Sequence, residues 1–261
     1  IVGIDMEMIR SRQNPLAKQL IKLAENRRDR MKSKQTLLIG SHLVKAAIEG
    51  RRAIESLLVC EGHEKNPEIQ ALLKSNPQTI MLSAELFQAI EQAPSSAGIL
   101  ALIAIPDEPP IVTKGFCLLL ENLQDPGNVG TILRTAAAAG VDQVWLTAGC
   151  ADIWSPKVLR AGMGAHFHLA LRERIDPITA LDDFTGPLCV TTLSDATSLY
   201  HSDLKGSMVL ALGSEGAGIS AALADRASIR IHIPMAAGIE SLNVAAAAAI
   251  CLFERRRQTL A

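Results

Sequence analysis

Short, almost wholly apolar runs alternate with helix-patterned segments along the whole chain, and this alternation limits the fold more than any other feature. In the first half the strand-like runs are residues 36–39, 54–60, 79–82 and 98–105. Between them lie helical stretches at 42–49, 67–74 and 84–91, preceded by a helical segment over 10–34 in which Leu16, Leu20 and Leu23 recur at i, i+4 and i+7. Ser41 is placed to cap the helix at 42–49, and Gly50 to end it. The second half repeats the scheme, with strands at 116–120, 141–146, 188–192, 208–212 and 229–233. Its helices are 127–139 closed by Gly140, 156–161, and an alanine-rich 243–258 ending in Arg255, Arg256 and Arg257, where cations suit a helix C-terminus. Such alternation predicts an α/β fold. Pro106, Pro109 and Pro110 interrupt it, since so dense a proline cluster continues neither helix nor strand. With 261 residues, and roughly 150 per domain as a guide, the expectation is two domains: 1–105 and 115–261, joined by a linker at 106–114.

Charge and composition narrow the function. Lys and Arg number 26 against 27 Asp and Glu, which excludes a uniformly basic nucleic-acid binder. The balance is uneven, however. Residues 10–34 hold nine Lys or Arg against only Glu25 and Asp29, whereas 53–107 and 108–261 are both net acidic. A local basic segment attracts polyanions even on a neutral protein. Aromatics are only 3% of the chain, which argues against modules that stack bases on aromatic platforms. The longest apolar run, Val244 to Phe253, is far short of the roughly 20 residues a bilayer span requires, so no membrane segment is expected. The N-terminus lacks a signal-peptide pattern. Cys60, Cys117, Cys150, Cys189 and Cys251 are odd in number and scattered, as suits packing residues in a reducing cytoplasm and neither a disulfide framework nor a zinc cluster.

Three polar, glycine-containing clusters follow strands of the second half, where open α/β sheets bind their ligands. The first runs from Glu121 through Asn122, Asp125, Pro126, Asn128 and Gly130 into a helix carrying Arg134. The second is Leu212, Gly213, Ser214, Glu215, Gly216, Ala217, Gly218 and Ile219. The third runs from Ile233, Pro234 and Met235 to Glu240, Ser241, Leu242 and Asn243. Asn128, Ser241 and Asn243 are all placed to cap helices. Arg134, on a small apolar helix face, and Glu215, in a glycine loop, each require a partner, and could pair with each other.

Other chemistries fail on detail. No GxxxxGK[ST] loop occurs, and Gly162 and Gly164 begin a GxGxxG that lacks its third glycine and follows a helix. His166 and His168 alternate on an apparent strand without an acidic or Cys partner, so no metal site is expected. Ser194, Asp195 and His201 supply triad residue types without a GxSxG elbow.

Taken together the clusters resemble the SpoU (TrmH-like) branch of the SPOUT RNA methyltransferases. Asn122, Asp125, Pro126, Asn128, Gly130 and Arg134 match its first motif, Leu212 to Ile219 its second, and Ile233 to Met235 with Glu240 to Asn243 its third. The stretch from Ser155 to Phe167 also resembles a family segment, and residues 38–45 resemble the start of the family's ribosomal-protein-like substrate-binding domain. Two positions depart from the family pattern: Ile39, where an acid is usual, and Ala245, where Ser is common. The resemblance implies a trefoil-knotted α/β catalytic domain working as a homodimer. It implies S-adenosylmethionine held near Leu212, Gly213, Ile233, Met235 and Leu242, and methyl transfer to a ribose 2′-hydroxyl of RNA. Arg134, Asn128, Glu215, Ser241 and Asn243 would form the catalytic set. The additional N-terminal domain favours rRNA over tRNA as substrate. The alternatives are a tRNA ribose methyltransferase, or a non-catalytic RNA-binding protein that retains the knot.

Overall fold

The computed structural model describes residues 7–74, 79–93, 96–239 and 241–260, so Glu240 of the third cluster lies outside the described residues. The chain forms two compact units. One comprises residues up to Asp107 together with Trp154–Phe167, and the other Glu108–Ile153 with His168–Ala261. The break after residue 107 falls in the proline cluster. The Trp154–Phe167 segment, by contrast, clusters with the first unit, although its place in the sequence assigns it to the second.

The first unit is built on a mixed five-stranded sheet. Its strands are β1 (Glu7–Ile9), β2 (Gln35–Ile39), β3 (Ile54–Cys60), β4 (Thr79–Leu82) and β5 (Ile99–Ala104), in the order β1-β4-β3-β5-β2. β5 runs antiparallel to both neighbours, while β1 and β3 lie parallel to β4. Alternate strand residues Leu37, Ile39, Leu58, Cys60, Leu100 and Leu102 turn to one face, where α1 (Pro15–Glu25) and α5 (Ala84–Glu91) supply Leu20, Leu23, Leu86, Phe87 and Ile90. The helical segment expected over 10–34 is two helices, α1 and α2 (Arg27–Ser33), divided at Asn26. Asn26 is extended (φ −122°, ψ 118°). Its N–H bonds the Lys22 carbonyl to close α1, and its side chain accepts from the Arg28 N–H to open α2. Ser41 is the first residue of α3 (Ser41–Glu49) and does not cap it; that place falls to Gly40, at φ +106°. α4 (Pro67–Leu73) completes the regular elements before the linker.

Trp154–Phe167 adds α7 (Pro156–Gly162) to this unit. The buried Thr36 hydroxyl on β2 donates to the Trp154 carbonyl at 2.6 Å. Arg52 donates to the Phe167 carbonyl at 3.4 Å and lies over the Phe167 ring. The strand expected through His166 is instead a 3-10 turn, Ala165–Phe167, entered through Met163 and Gly164, both at positive φ. His166 is buried against Trp154, their ring centroids 5.4 Å apart.

The second unit is a seven-stranded sheet in which every pairing is parallel. The strands are β6 (Phe116–Leu120), β7 (Gln143–Thr147), β8 (Ala170–Ile175), β9 (Leu188–Thr191), β10 (Thr197–Ser198), β11 (Met208–Leu212) and β12 (Ile229–His232), ordered β10-β12-β9-β11-β6-β7-β8. β6 and β11 are buried at every residue, as strands of a parallel sheet covered on both faces must be. α8 (Pro177–Asp182) and α9 (Ala221–Arg226) cover one face, packing Ala180 and Leu223 on Cys117, Leu119, Trp145 and Val209. α6 (Pro126–Ala139) and α10 (Val244–Leu260) pack on each other. All five cysteines are free and buried, and burial pushes the Cys117, Cys189 and Cys251 thiols up to about 12, leaving packing as their role.

Candidate active site

The carboxyl ends of β6 and β11 are in register, Leu120 opposite Leu212, so the first two clusters leave the sheet side by side. The Glu121 N–H extends the ladder to the Leu212 carbonyl at 2.9 Å. The Glu121 carboxylate, buried, then accepts from the Ser220 N–H at 2.7 Å and ties the first loop to the far end of the second. In the second loop Gly213 is pressed against the backbone of Gly218: a Cβ at Gly213 would lie 2.1 Å from the Gly218 carbonyl carbon and oxygen. The Gly218 N–H bonds the Ser214 carbonyl at 2.8 Å, and φ +66° at Gly218 completes the fold-back.

Asp125 and Pro126 are the machinery that starts α6. The Asp125 side chain accepts from the Asn128 N–H at 2.7 Å, and proline takes the first helical position, where no N–H is needed. Asn128 therefore does not cap, and its side chain is free to reach other loops. Its amide nitrogen donates to Glu215, and its amide oxygen accepts from Asn243 Nδ2 at 3.0 Å. Asn243 meanwhile caps α10 through its oxygen, accepting from the Ala245 and Ala246 N–H groups at 2.9 and 3.3 Å. A directed chain thus runs from Asn243 to Asn128 to Glu215 and joins all three clusters.

The second and third loops also wall a cavity of about 410 Å³ at the same sheet edge. Ile233, Met235, Ser241 and Leu242 line it, as does Gly218. Leu212 and Gly213 do not: the Leu212 side chain is sealed in the sheet, and Gly213 is taken up by its contact with Gly218. Residues 190–194, at the end of β9 and in the loop beyond it, form with His232 a wall that lies outside the three sequence clusters. A signal for it exists, since a loop following a parallel strand at this edge is a ligand position on the same ground as the other three. Ser194, one of the triad residue types without an elbow, belongs to this wall.

Arg134 stands apart. It is exposed and makes no hydrogen bond or ion pair with the described residues, so the pairing with Glu215 does not occur. Six positions beyond Asn128, it lies about 9 Å further along α6 and about 120° around it. Among the described residues no group of His, Cys, Asp and Glu could hold a metal ion, and no helix is long and apolar enough to cross a membrane.

Solved structures of RNA methyltransferases share this architecture. One is an AdoMet-bound rRNA methyltransferase from Sinorhizobium meliloti, with a TM-score of 0.84 at 25% identity over 98% of this chain and 99% of that one. The chain belongs to the SpoU rRNA methylase family, which matches residues 115–253, while residues 14–101 match an MRM3-like substrate binding domain. Among its relatives are an uncharacterized tRNA/rRNA methyltransferase of Synechocystis sp., 36% identical over 97% of this chain and 95% of that protein, and the 23S rRNA (guanosine(2553)-2′-O)-methyltransferase RlmP of Bacillus subtilis, 34% identical over 96% of this chain and all of that protein.

The cavity wall fits S-adenosylmethionine. It is largely apolar with Thr and Ser hydroxyls, and it carries no Lys or Arg to oppose a sulfonium. A Cβ at Gly218, on that wall, would meet no protein atom within 4 Å, so the glycine leaves open space there.

Proposed function

We propose that the chain methylates a ribose 2′-hydroxyl of ribosomal RNA from S-adenosylmethionine, as a cytoplasmic homodimer. The observation that carries this reading is the Asn243–Asn128–Glu215 chain, which locks together the two loops that also wall the cavity. The B. subtilis relative named for 2′-O-methylation of 23S rRNA supports the substrate, and the AdoMet-bound neighbour supports the cofactor.

A 2′-hydroxyl is a poor nucleophile and loses its proton as it attacks. S-adenosylmethionine, when bound, supplies the activated methyl group. Ile233, Met235 and Leu242 would hold it against the apolar wall, where Ser241 adds a hydroxyl. Arg134 is not suited to take the proton, because a guanidinium offers N–H donors and no acceptor. Its role is to bind an RNA phosphate and stabilise the developing alkoxide, while the proton leaves by another route. Asn128, fixed between Glu215 and Asn243, orients the ribose.

The placement of Arg134, exposed and turned away from Asn128 along α6, supports a site completed by a second copy of the chain. The sheet order supports the knot: β11 enters between β9 and β6, and β12 between β10 and β9, so late strands are inserted among earlier ones. The test is a nucleotide-resolution map of ribose methylation on transcribed large-subunit rRNA and on tRNA after incubation with the chain and cofactor. A 2′-O-methyl group on the rRNA is expected. Modification of tRNA alone would make the rRNA assignment wrong. Arg134→Ala should lower turnover at saturating RNA by about a hundred- to a thousandfold, and unchanged turnover would remove Arg134 from the mechanism.

A further inference from the structure

α1 and α2 meet at Asn26 in an elbow. Arg30 of α2 is 3% exposed, and its guanidinium donates to the Leu23 carbonyl at 2.5 Å and the Ala24 carbonyl at 3.4 Å. These are carbonyls of the last turn of α1, which have no partner within the helix, so a buried cation of one helix seals the end of the other. Asn26, itself exposed, closes one helix and opens the next, so the elbow is pinned at its surface by a cap and beneath it by a buried guanidinium.

Inside the elbow is a cleft of about 370 Å³ with Leu23 in its wall and Lys18, Lys22 and Lys32 around it. Among the described residues, Asp29 is its single carboxylate. The three lysines are exposed, and none forms an ion pair within the described residues. Lys18 and Lys22 are spaced i, i+4, so they repel each other on one helix face. A merely solvated face would intersperse acids here, yet Glu25, the acid of α1, is engaged by Gln92 at 3.1 Å instead. No aromatic side chain lines the cleft, so nothing in it can stack on a base.

We propose that this cleft binds the phosphate backbone of the substrate RNA, contributing affinity and register but neither sequence selection nor chemistry. Lysine ammonium groups act as point charges that grip phosphates without reading bases. The proposal deepens the RNA-methyltransferase reading and rests on it.

The experiment uses the full chain with transcribed large-subunit rRNA as probe and measures the dissociation constant as a function of salt. The comparison is between wild type, K18Q/K22Q/K32Q, K18R/K22R/K32R, and K65Q/K74Q/K205Q as a control elsewhere on the surface. Each phosphate that the protein ceases to neutralise lowers the slope of log K against log salt by about 0.7–0.9. The cleft variant should therefore bind about ten- to a hundredfold more weakly near 0.1 M salt, with a slope shallower by about two. The arginine variant and the distant control should bind like wild type, and kcat at saturating RNA should be unchanged in all. Unchanged affinity and slope in the cleft variant would overturn the proposal while leaving the methyltransferase reading intact. An equal loss in the arginine variant or the distant control would also overturn it, because the effect would then not be the local charge of this cleft. If wild type neither binds nor methylates the rRNA, the functional reading fails first, and the cleft proposal falls with it.

Discussion

Single residues set the geometry of the site, and two substitutions separate space from charge. Gly213→Ala puts a methyl group where the Gly218 backbone stands and forces the second loop open, so a loss of about 1–3 kcal/mol in stability is expected, with weaker S-adenosylmethionine binding by calorimetry. Gly216→Ala, three residues on, meets nothing within 4 Å and should leave both quantities near wild type. If the two variants behave alike, close approach is not why Gly213 is glycine. Asn128→Asp sets a second carboxylate against Glu215. Turnover should fall about ten- to a hundredfold at pH 8 and recover in part towards acid pH, where one carboxyl of the pair takes a proton and can donate again. A loss that stays constant across the pH–rate profile would contradict this. Glu254 offers a test remote from the site. Hydrogen bonds from Arg257 and Gln258 hold its carboxyl down from its ordinary 4.5 to about 2. Its folded pKa lies below the unfolded one, so its contribution is whole above about 4.5 and is lost as the pH falls towards 2. The urea midpoints of wild type and Glu254→Gln should therefore differ at pH 7 and draw much closer by pH 2.5, and a gap that stays undiminished would rule the contribution out. At this scale the residue types of the site are legible in the sequence and their bonding is not. Asn128, Ser241 and Asn243 all have the look of caps, but only Asn243 is one, because Asp125 already takes the end of α6.

At the scale of elements, the strands easiest to read are those covered on both faces, where no polar residue interrupts the run. β8 escapes because its sequence, Ala170 to Ile175, carries two arginines and a glutamate, as an edge strand can. α9 escapes because six residues give too little periodicity to recognise. The closing arginines of α10 suit the helix dipole by position, yet the structure uses them tertiarily. Arg255 lies 3.7 Å from the centroid of the Phe116 ring and donates to the Gly206 carbonyl, and Arg256 donates to the Ala139 carbonyl at the end of α6. Only Arg257 sits in the last turn. α10 also presents Ala246 and Phe253 to solvent one turn on either side of Ile250, with Phe253 48% exposed. If the chain forms the proposed homodimer and that strip is where the two copies meet, Phe253→Glu should leave a monomer in sedimentation and abolish turnover with the fold intact by circular dichroism. A variant that remains dimeric and active would move the interface elsewhere.

For the whole molecule, the break between the two compact units falls in the proline cluster, but local pattern cannot reveal that Trp154–Phe167 returns to the first unit. Pairing Thr36 with the Trp154 carbonyl is a long-range event with no periodicity to betray it. Cleavage within residues 106–110 should therefore yield two fragments that still co-elute in gel filtration under native conditions, since α7 travels with the C-terminal fragment and is packed on β2 of the N-terminal one. Separation of the nicked fragments without denaturant would refute that packing. The same return passage bears on how such a chain can be rebuilt. An N-terminal unit grafted onto another catalytic unit at the linker would arrive without the helix that finishes it, leaving the Thr36 hydroxyl without its acceptor and Arg52 without its ring. Recombination at that junction trades modules that are not separately complete, so a swap that keeps both halves working has to carry residues 154–167 along with the first.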